Sequence, residues 1–311
     1  MADIGWKAYP NAKINDPVNT LPTVDDAWMG AAANCSCIAG MASIAWVYPQ
    51  SINQNLLADY SAKFYSPAPT TQPIPQTANL YQDGNGALKY AKSRTSTEFW
   101  PSFYEKAFKK LLTGVYGKDT EPDMTGDWHN ISAYAMSRMT GWADSTNLAI
   151  PGTAANIWTA LKNICAPLES PGGANTLSAQ TKYPALAFTK SSGAGLTATN
   201  EPYTSHSYSI LGIYQDAAGS QYVILRDPKA SDVTWNTLPS PKKYPKLTTS
   251  PWVVKYANYE QKNPRLPLAG TLATVNMALN NWIFGLKIAS ADANESPYTF
   301  PNLFSSYAYI S

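Results

Sequence analysis

Apolar residues early in the chain recur at helical spacing. Ile38, Met41, Ala42, Ala45 and Trp46 predict a helix over 35–48, opened by the small polar residues Asn34, Cys35 and Ser36 and ended by Pro49. A second helix is predicted from Pro101, since proline suits a first helical position. Phe103, Ala107, Phe108, Leu111 and Leu112 form its apolar face, Glu105 and Lys109 pair at i,i+4, and Gly114 and Gly117 close it, so it reads as a core helix. A third helical stretch near Ile131 to Met139 ends at Thr140-Gly141, and a fourth runs near Ala154 to Asn163. Elsewhere the later half favours short strands: Tyr183 to Thr189, Tyr208 to Tyr214, Gln221 to Arg226, Trp252 to Tyr256 and Trp282 to Ile288, separated by Gly, Pro, Ser and Asn. Residues 1 to 30 read as extended and loop-rich, and the Pro-, Thr- and Gln-rich stretch 65 to 85 as an exposed loop. The pattern changes character near residues 140 to 150. We therefore expect an α+β protein with a helical subdomain over 1–145, a β-rich subdomain over 146–311 and a working site in the cleft they share.

The most informative strands flank DAAGS, in the stretch SHSYSILGIYQDAAGSQYVILRDP from Ser205 to Pro228. Asp and Gly form turns, so this is a β-hairpin signal. With the turn centred near Ala217 and Ala218, His206 faces roughly residue 229. Asp227 is then a diagonal neighbour on the same sheet face, within side-chain reach. A carboxylate there would fix the tautomer of a general base and stabilise the imidazolium it becomes. The alternative is a strand-end histidine held by backbone partners. Cys35 falls in the first turn of the first helix, where unpaired N–H groups and the positive dipole end favour thiolate. The alternative here is a thiol buried in the core.

Composition narrows the classes. A chain of 311 residues suits two subdomains, and a net charge of +2 with pI near 8.2 makes no electrostatic case for nucleic acid. Lys109-Lys110 and Lys242-Lys243 read as solvated surface. No apolar run reaches about 18 residues, so no membrane span is expected and the protein reads as soluble. The 14% of charged residues is a balance met more often in exported proteins, yet MADIGWKAYP has no basic start followed by an apolar stretch, so a cytoplasmic location is expected. Cys35, Cys37 and Cys165 make an odd count and read as reduced thiols, and C-x-C without a further Cys/His cluster does not describe a zinc site.

Five blocks in order, NCSCIAGMASI, FWPSFYEKAFKKLLTGVYG, SHSYSILGI, LRDPKASDVTW and VNMALNNWIFGLKIA, together resemble the protease core of the calpain family of papain-like cysteine proteases. NCSCIAGMASI resembles the family's D-C-W-L-L-A-A-I-A-S-L, with Cys35 at the nucleophile and Ala39, Ala42, Ser43 and Ile44 in register. FWPSFYEKAFKKLLTGVYG (Phe99 to Gly117) is similar to L-W-x-x-L-L-E-K-A-Y-A-K-L, sharing Trp100, Glu105, Lys106 and Ala107. SHSYSILGI resembles G-H-A-Y-S-V-T-G, which puts His206 at the base. LRDPKASDVTW resembles R-N-P-W-G-x-x-x-W, which puts Asp227 where the family has Asn. VNMALNNWIFGLKIA (Val275 to Ala289) is similar to the closing W-M-S-x-x-D-F-x-x-x-F-x-x-L-x-I-C, and the ordered blocks span residues 28 to 289. The resemblance implies a papain-like fold and a protein or peptide substrate. It also implies that Cys35 attacks a peptide carbonyl, while His206 takes the thiol proton, returns it to the leaving amine and is oriented by Asp227.

The chain departs from the family at named positions. The oxyanion glutamine, six residues before the nucleophile, is Met29, and Asn34 is the first candidate to replace it; losing such a donor costs about 10²–10³ in rate in a comparable hydrolase. Ser36 and Lys229 stand where the family has tryptophans. NCSCI also resembles a shortened C-G-S-C-W, so Cys37 competes with Cys35 as nucleophile, and His129 in GDWHNIS is the alternative base. Three functions stay open: a cysteine endopeptidase, a transglutaminase or deamidase with the order Cys, His, Asp, and a catalytically impaired or non-enzymatic binding module. The sequence requires no cofactor. Calcium is implied only by the resemblance, and Asp83, Asp119, Glu121 and Asp123 read as solvated surface without the spacing of a site. A bare catalytic core is expected, without the family's further C-terminal domains, and no oligomeric state follows from the sequence.

Overall fold

The computed structural model describes residues 3–9, 22–32, 34–65, 71–93, 98–114, 132–143, 147–170, 175–193, 196, 202–229, 246–247, 252–255, 274–277 and 282–311. They form an α+β protein of two compact units, one of Met1–Thr146 with Ile310–Ser311 and one of Asn147–Tyr309. Among the described residues no helix is long and apolar enough to cross a membrane.

The first unit contains β1 (Gly5–Ala8), α1 (Cys35–Val47), α2 (Pro49–Asn55), β2 (Ala62–Tyr65), β3 (Thr71–Ile74), β4 (Asn79–Gln82), α3 (Trp100–Thr113) and α4 (Ser132–Thr140). Every residue of α1 from Ser36 to Val47 is buried, as expected of a helix that is apolar all round. Pro49 ends α1 but also starts α2, because proline at a first position costs that helix no hydrogen bond. The stretch predicted as an exposed loop over 65–85 instead supplies β3 and β4, antiparallel to β2 and β1, with Ile74 and Leu80 fully buried. Its polar composition hid both pairings, that of β3 with the nearby β2 and that of β4 with β1 far upstream.

Helix α3 ends at Gly114, whose left-handed φ of 67° suits glycine. Phe103, Ala107 and Phe108 are buried, while Leu111 and Leu112 are only half-buried. Three charged side chains of α3 are buried as well. Lys106 Nζ donates to the carbonyls of Thr77 (3.0 Å) and Asn79 (2.7 Å), and Lys110 Nζ to that of Pro75 (2.6 Å). The Glu105 carboxylate accepts the Ala91 N–H. These contacts satisfy backbone groups of the irregular stretches around the helix, which is how an interior tolerates long charged residues.

The second unit contains β5 (Leu148–Ala149), α5 (Ala154–Asn163), β6 (Leu177–Thr189), β7 (Ser207–Gln215), β8 (Gln221–Arg226), β9 (Lys246–Leu247), β10 (Trp252–Lys255), β11 (Thr274–Met277), β12 (Ile283–Lys287), α6 (Phe300–Leu303) and β13 (Phe304–Tyr309). Seven strands form one antiparallel sheet in the order β5-β13-β6-β7-β8-β12-β9, and β10 pairs with β11 apart from it. Strand β6 starts at Leu177 rather than at the predicted Tyr183, and its register shifts between Gln180 and Ala185, where Pro184 has no N–H to give the ladder. Thr153 caps α5 by accepting the Asn156 N–H at 3.2 Å, and Ile157, Trp158 and Leu161 pack in one core with Ile210, Val223, Leu225 and Phe284.

Candidate active site

The hairpin β7–β8 turns through Asp216 to Ser220. The Asp216 N–H donates to the Ser220 carbonyl at 3.0 Å, and the Asp216 carboxylate accepts the N–H groups of Ala218 (3.0 Å) and Ser220 (2.8 Å). Near the turn Gln215 faces Gln221, a register that continued outward would put His206 opposite residue 230 and Asp227 on the other face of the sheet. A register shift between Ile210 and Gly212 changes this. Beyond it Ile210 faces Leu225 and Ser209 faces Arg226, so His206 and Asp227 return to one face. His206 Nε2 and Asp227 Oδ1 lie 2.8 Å apart. The predicted pairing is therefore present, reached through a turn centred on Ala218 rather than between Ala217 and Ala218 and a compensating bulge at Leu211.

Backbone contacts aim both side chains. Ser205 takes a left-handed φ of 48°, unusual for a non-glycine residue, and turns the chain into His206. The Thr189 hydroxyl at the end of β6 accepts the His206 N–H at 2.8 Å and donates to the Tyr203 carbonyl at 2.7 Å. The Asp227 N–H donates to the Trp282 carbonyl at 2.8 Å, and Asp227 Oδ1 accepts the Lys229 N–H at 2.9 Å. His206 retains 7% of its surface and Asp227 none. Thr189, Tyr203 and Tyr208 were not singled out from sequence, and only the adjacency of Tyr203 and Tyr208 to His206 could have flagged two of them.

In the first unit Cys35 is the first residue of α1, with the buried Asn34 at the N-cap position. The Asn34 carbonyl accepts the N–H groups of Cys37 (3.0 Å) and Ile38 (3.2 Å). Cys35 is half-buried, whereas Cys37 and Cys165 are buried. Burial, reinforced by the nearby Glu105, pushes the Cys37 thiol well above its ordinary range, so Cys37 is a core thiol. Glu105 itself is pushed up to about 8 by burial, against the opposing effects of the Ala91 N–H and Lys109.

The segment leading to Cys35 is pinned. Trp28 exchanges both backbone hydrogen bonds with Lys92 at 2.9 Å, and the Ala32 N–H donates to the Lys89 carbonyl at 3.1 Å. Gly30 has no alternative at its position, because an added Cβ would collide with the Lys89 and Tyr90 carbonyls. Met29 is half-buried in this segment.

His129, Asp119, Glu121 and Asp123 lie outside the described residues. Asp83 closes its own turn, accepting the N–H groups of Asn85 (2.8 Å) and Ala87 (2.9 Å). Among the described residues no group of three or more His, Cys, Asp or Glu side chains is placed to hold a metal ion. Comparison with protein-family models and with curated proteins finds no match.

Proposed function

We propose that the chain is a calpain-like cysteine endopeptidase in which Cys35 is the nucleophile, His206 the base and acid, and Asp227 the residue that orients His206. The observation that carries this reading is the 2.8 Å contact between His206 Nε2 and Asp227 Oδ1, held in a nearly dry setting. A carboxylate on Nε2 sets the tautomer that leaves proton transfer to Nδ1. The half-buried Cys35 at a helix start supports its role, because the dipole there favours thiolate and the neighbouring Cys37 is held in the core as a thiol. The five sequence blocks that resemble calpains supply the reaction type.

In the proposed reaction Cys35 Sγ bonds to the scissile carbonyl carbon as its proton passes to His206. The oxyanion meets N–H donors at the start of α1, with the Asn34 side chain as the candidate for the place that Met29 leaves without a donor. His206 then protonates the leaving amine as the C–N bond breaks, giving a thioester. A water that loses its proton to His206 attacks the thioester, and the acid product leaves as the Cys35 sulfur is reprotonated.

The test is alkylation with iodoacetamide. Labelling should fall on Cys35 ahead of Cys37 and Cys165 and abolish cleavage of a denatured protein; cleavage that survives full labelling of Cys35 overturns the proposal. Asp227 in place of asparagine also suits an acyl-transfer enzyme acting on glutamine, and ammonia release from a glutamine peptide without chain cleavage would decide for that reading. An ordinary Cys35 pKa, read from pH-dependent alkylation, with neither activity present, would decide for a binding module.

A further inference from the structure

We propose that Tyr203, clamped by Lys229, is a positioning residue that closes the His206–Asp227 hydrogen bond against water. The inference rests on the reading of His206 as the base and adds two residues of this chain to its machinery. Tyr203 is 4% exposed, and its ring meets the His206 imidazole edge-on at 5.1 Å between centroids and 64° between planes. A second ring, Tyr208, meets the imidazole at 5.0 Å and 82°. Two aromatic walls thus limit rotation of the imidazole about its own axis.

Lys229 ties this enclosure together from both ends. Its backbone N–H reaches Asp227 Oδ1 at 2.9 Å, while its side-chain ammonium lies 4.2 Å from the centre of the Tyr203 ring. That distance is within cation–π range, and an exposed lysine can hold the geometry without losing its own hydration. Thr189 adds a backbone link, accepting the His206 N–H and donating to the Tyr203 carbonyl. Excluding water matters because water competes for both Nε2–H and the carboxylate, and a dry hydrogen bond holds one imidazole orientation more firmly.

The decisive measurement is the exchange rate of the His206 imidazole N–H proton by NMR, with the resonance assigned by its loss in His206→Asn. Tyr203→Ala should speed exchange by about tenfold or more and lower kcat by about tenfold with KM little changed, the size expected from losing one aromatic wall. Tyr203→Phe should restore both, since the ring and not the hydroxyl does the closing. Lys229→Met, a surface change that leaves folding intact, should speed exchange by about threefold. Unchanged exchange in Tyr203→Ala, or a Phe variant that behaves like Ala, overturns the proposal. If Tyr203→Ala does not fold, unchanged exchange in Lys229→Met overturns it instead. Exchange that follows the ring in a protein that cleaves nothing would sink the protease reading and leave the enclosure standing.

Discussion

Two carboxylic acids with no exposed surface, Glu105 in the helical unit and Asp227 in the sheet unit, are used in opposite ways. Glu105 accepts the Ala91 N–H and sits beside the Cys37 thiol, and burial outweighs that hydrogen bond and the charge of Lys109, so the acid is mostly protonated at neutral pH. Asp227 meets two nitrogens on one oxygen, accepting the Lys229 N–H and lying 2.8 Å from His206 Nε2, on a ring able to carry positive charge. Burial by itself does not separate an acid that serves stability from one proposed to orient a base. The donors that converge on it do.

Substitutions at the two acids should separate them most sharply. If Asp227 orients His206 as proposed, Asp227→Ala should lower kcat by about 10²–10⁴ with the fold retained, whereas Asp227→Asn keeps an oxygen acceptor and should cost far less. Peptide hydrolysis by both variants, beside their thermal unfolding, checks this; equal losses in the two would remove orientation as the role of Asp227.

Glu105 should act on stability instead. Its folded pKa of about 8 lies above the ordinary value of 4.5, so the folded state holds a proton that the unfolded chain releases. The stabilising effect is complete below pH 4.5 and declines as pH rises toward about 8, by about 1.4 kcal/mol for each pH unit within that window. Denaturant unfolding of the wild type and of Glu105→Gln across pH 5 to 8 should show a shallower decline in the variant. Parallel curves would mean that Glu105 is ionised in the fold.

The smallest effect is expected at Thr189. Thr189→Val keeps the shape but removes the hydroxyl that links His206 to Tyr203, and should cost about 1–3 kcal/mol of stability for the backbone N–H left without it, with a loss of activity under about tenfold. A variant with wild-type unfolding and wild-type kcat would show that Ser205 and the hairpin aim His206 unaided.

Much of the fold was legible because its signals are local. Helices α1, α3 and α5 follow from apolar spacing with a proline or a small polar residue at the start, and β7 and β8 from β-branched runs about an Asp/Gly turn. Strands β3 and β4 were not legible, since the stretch Thr71–Gln82 is largely polar and shows no clear alternation even though β2, the partner of β3, is near in sequence, and β1, the partner of β4, lies far upstream. The final strand β13 was missed for the same reason: FSSYAY has a weak alternation, and its pairing with β6 crosses most of the second unit. At the candidate site Cys35, His206 and Asp227 were legible as residue types in suitable elements. Thr189 and Tyr203 were not, because a threonine at a strand end and a tyrosine in a loop carry no chemical signature until a fold brings them to His206.

The sequence by itself determined that a thiol opens a buried helix and that a histidine and an aspartate share a hairpin, because helix starts and turn residues act over a few positions. Tertiary structure alone decided the rest. Side-chain alternation has a period of two, so the register at the turn would have put His206 and Asp227 on opposite faces, and the bulge at Leu211 brings them together. Packing around Glu105 likewise decided that one acid of the core stays protonated and that Cys37 remains a thiol, since burial depends on what the whole chain places around a group.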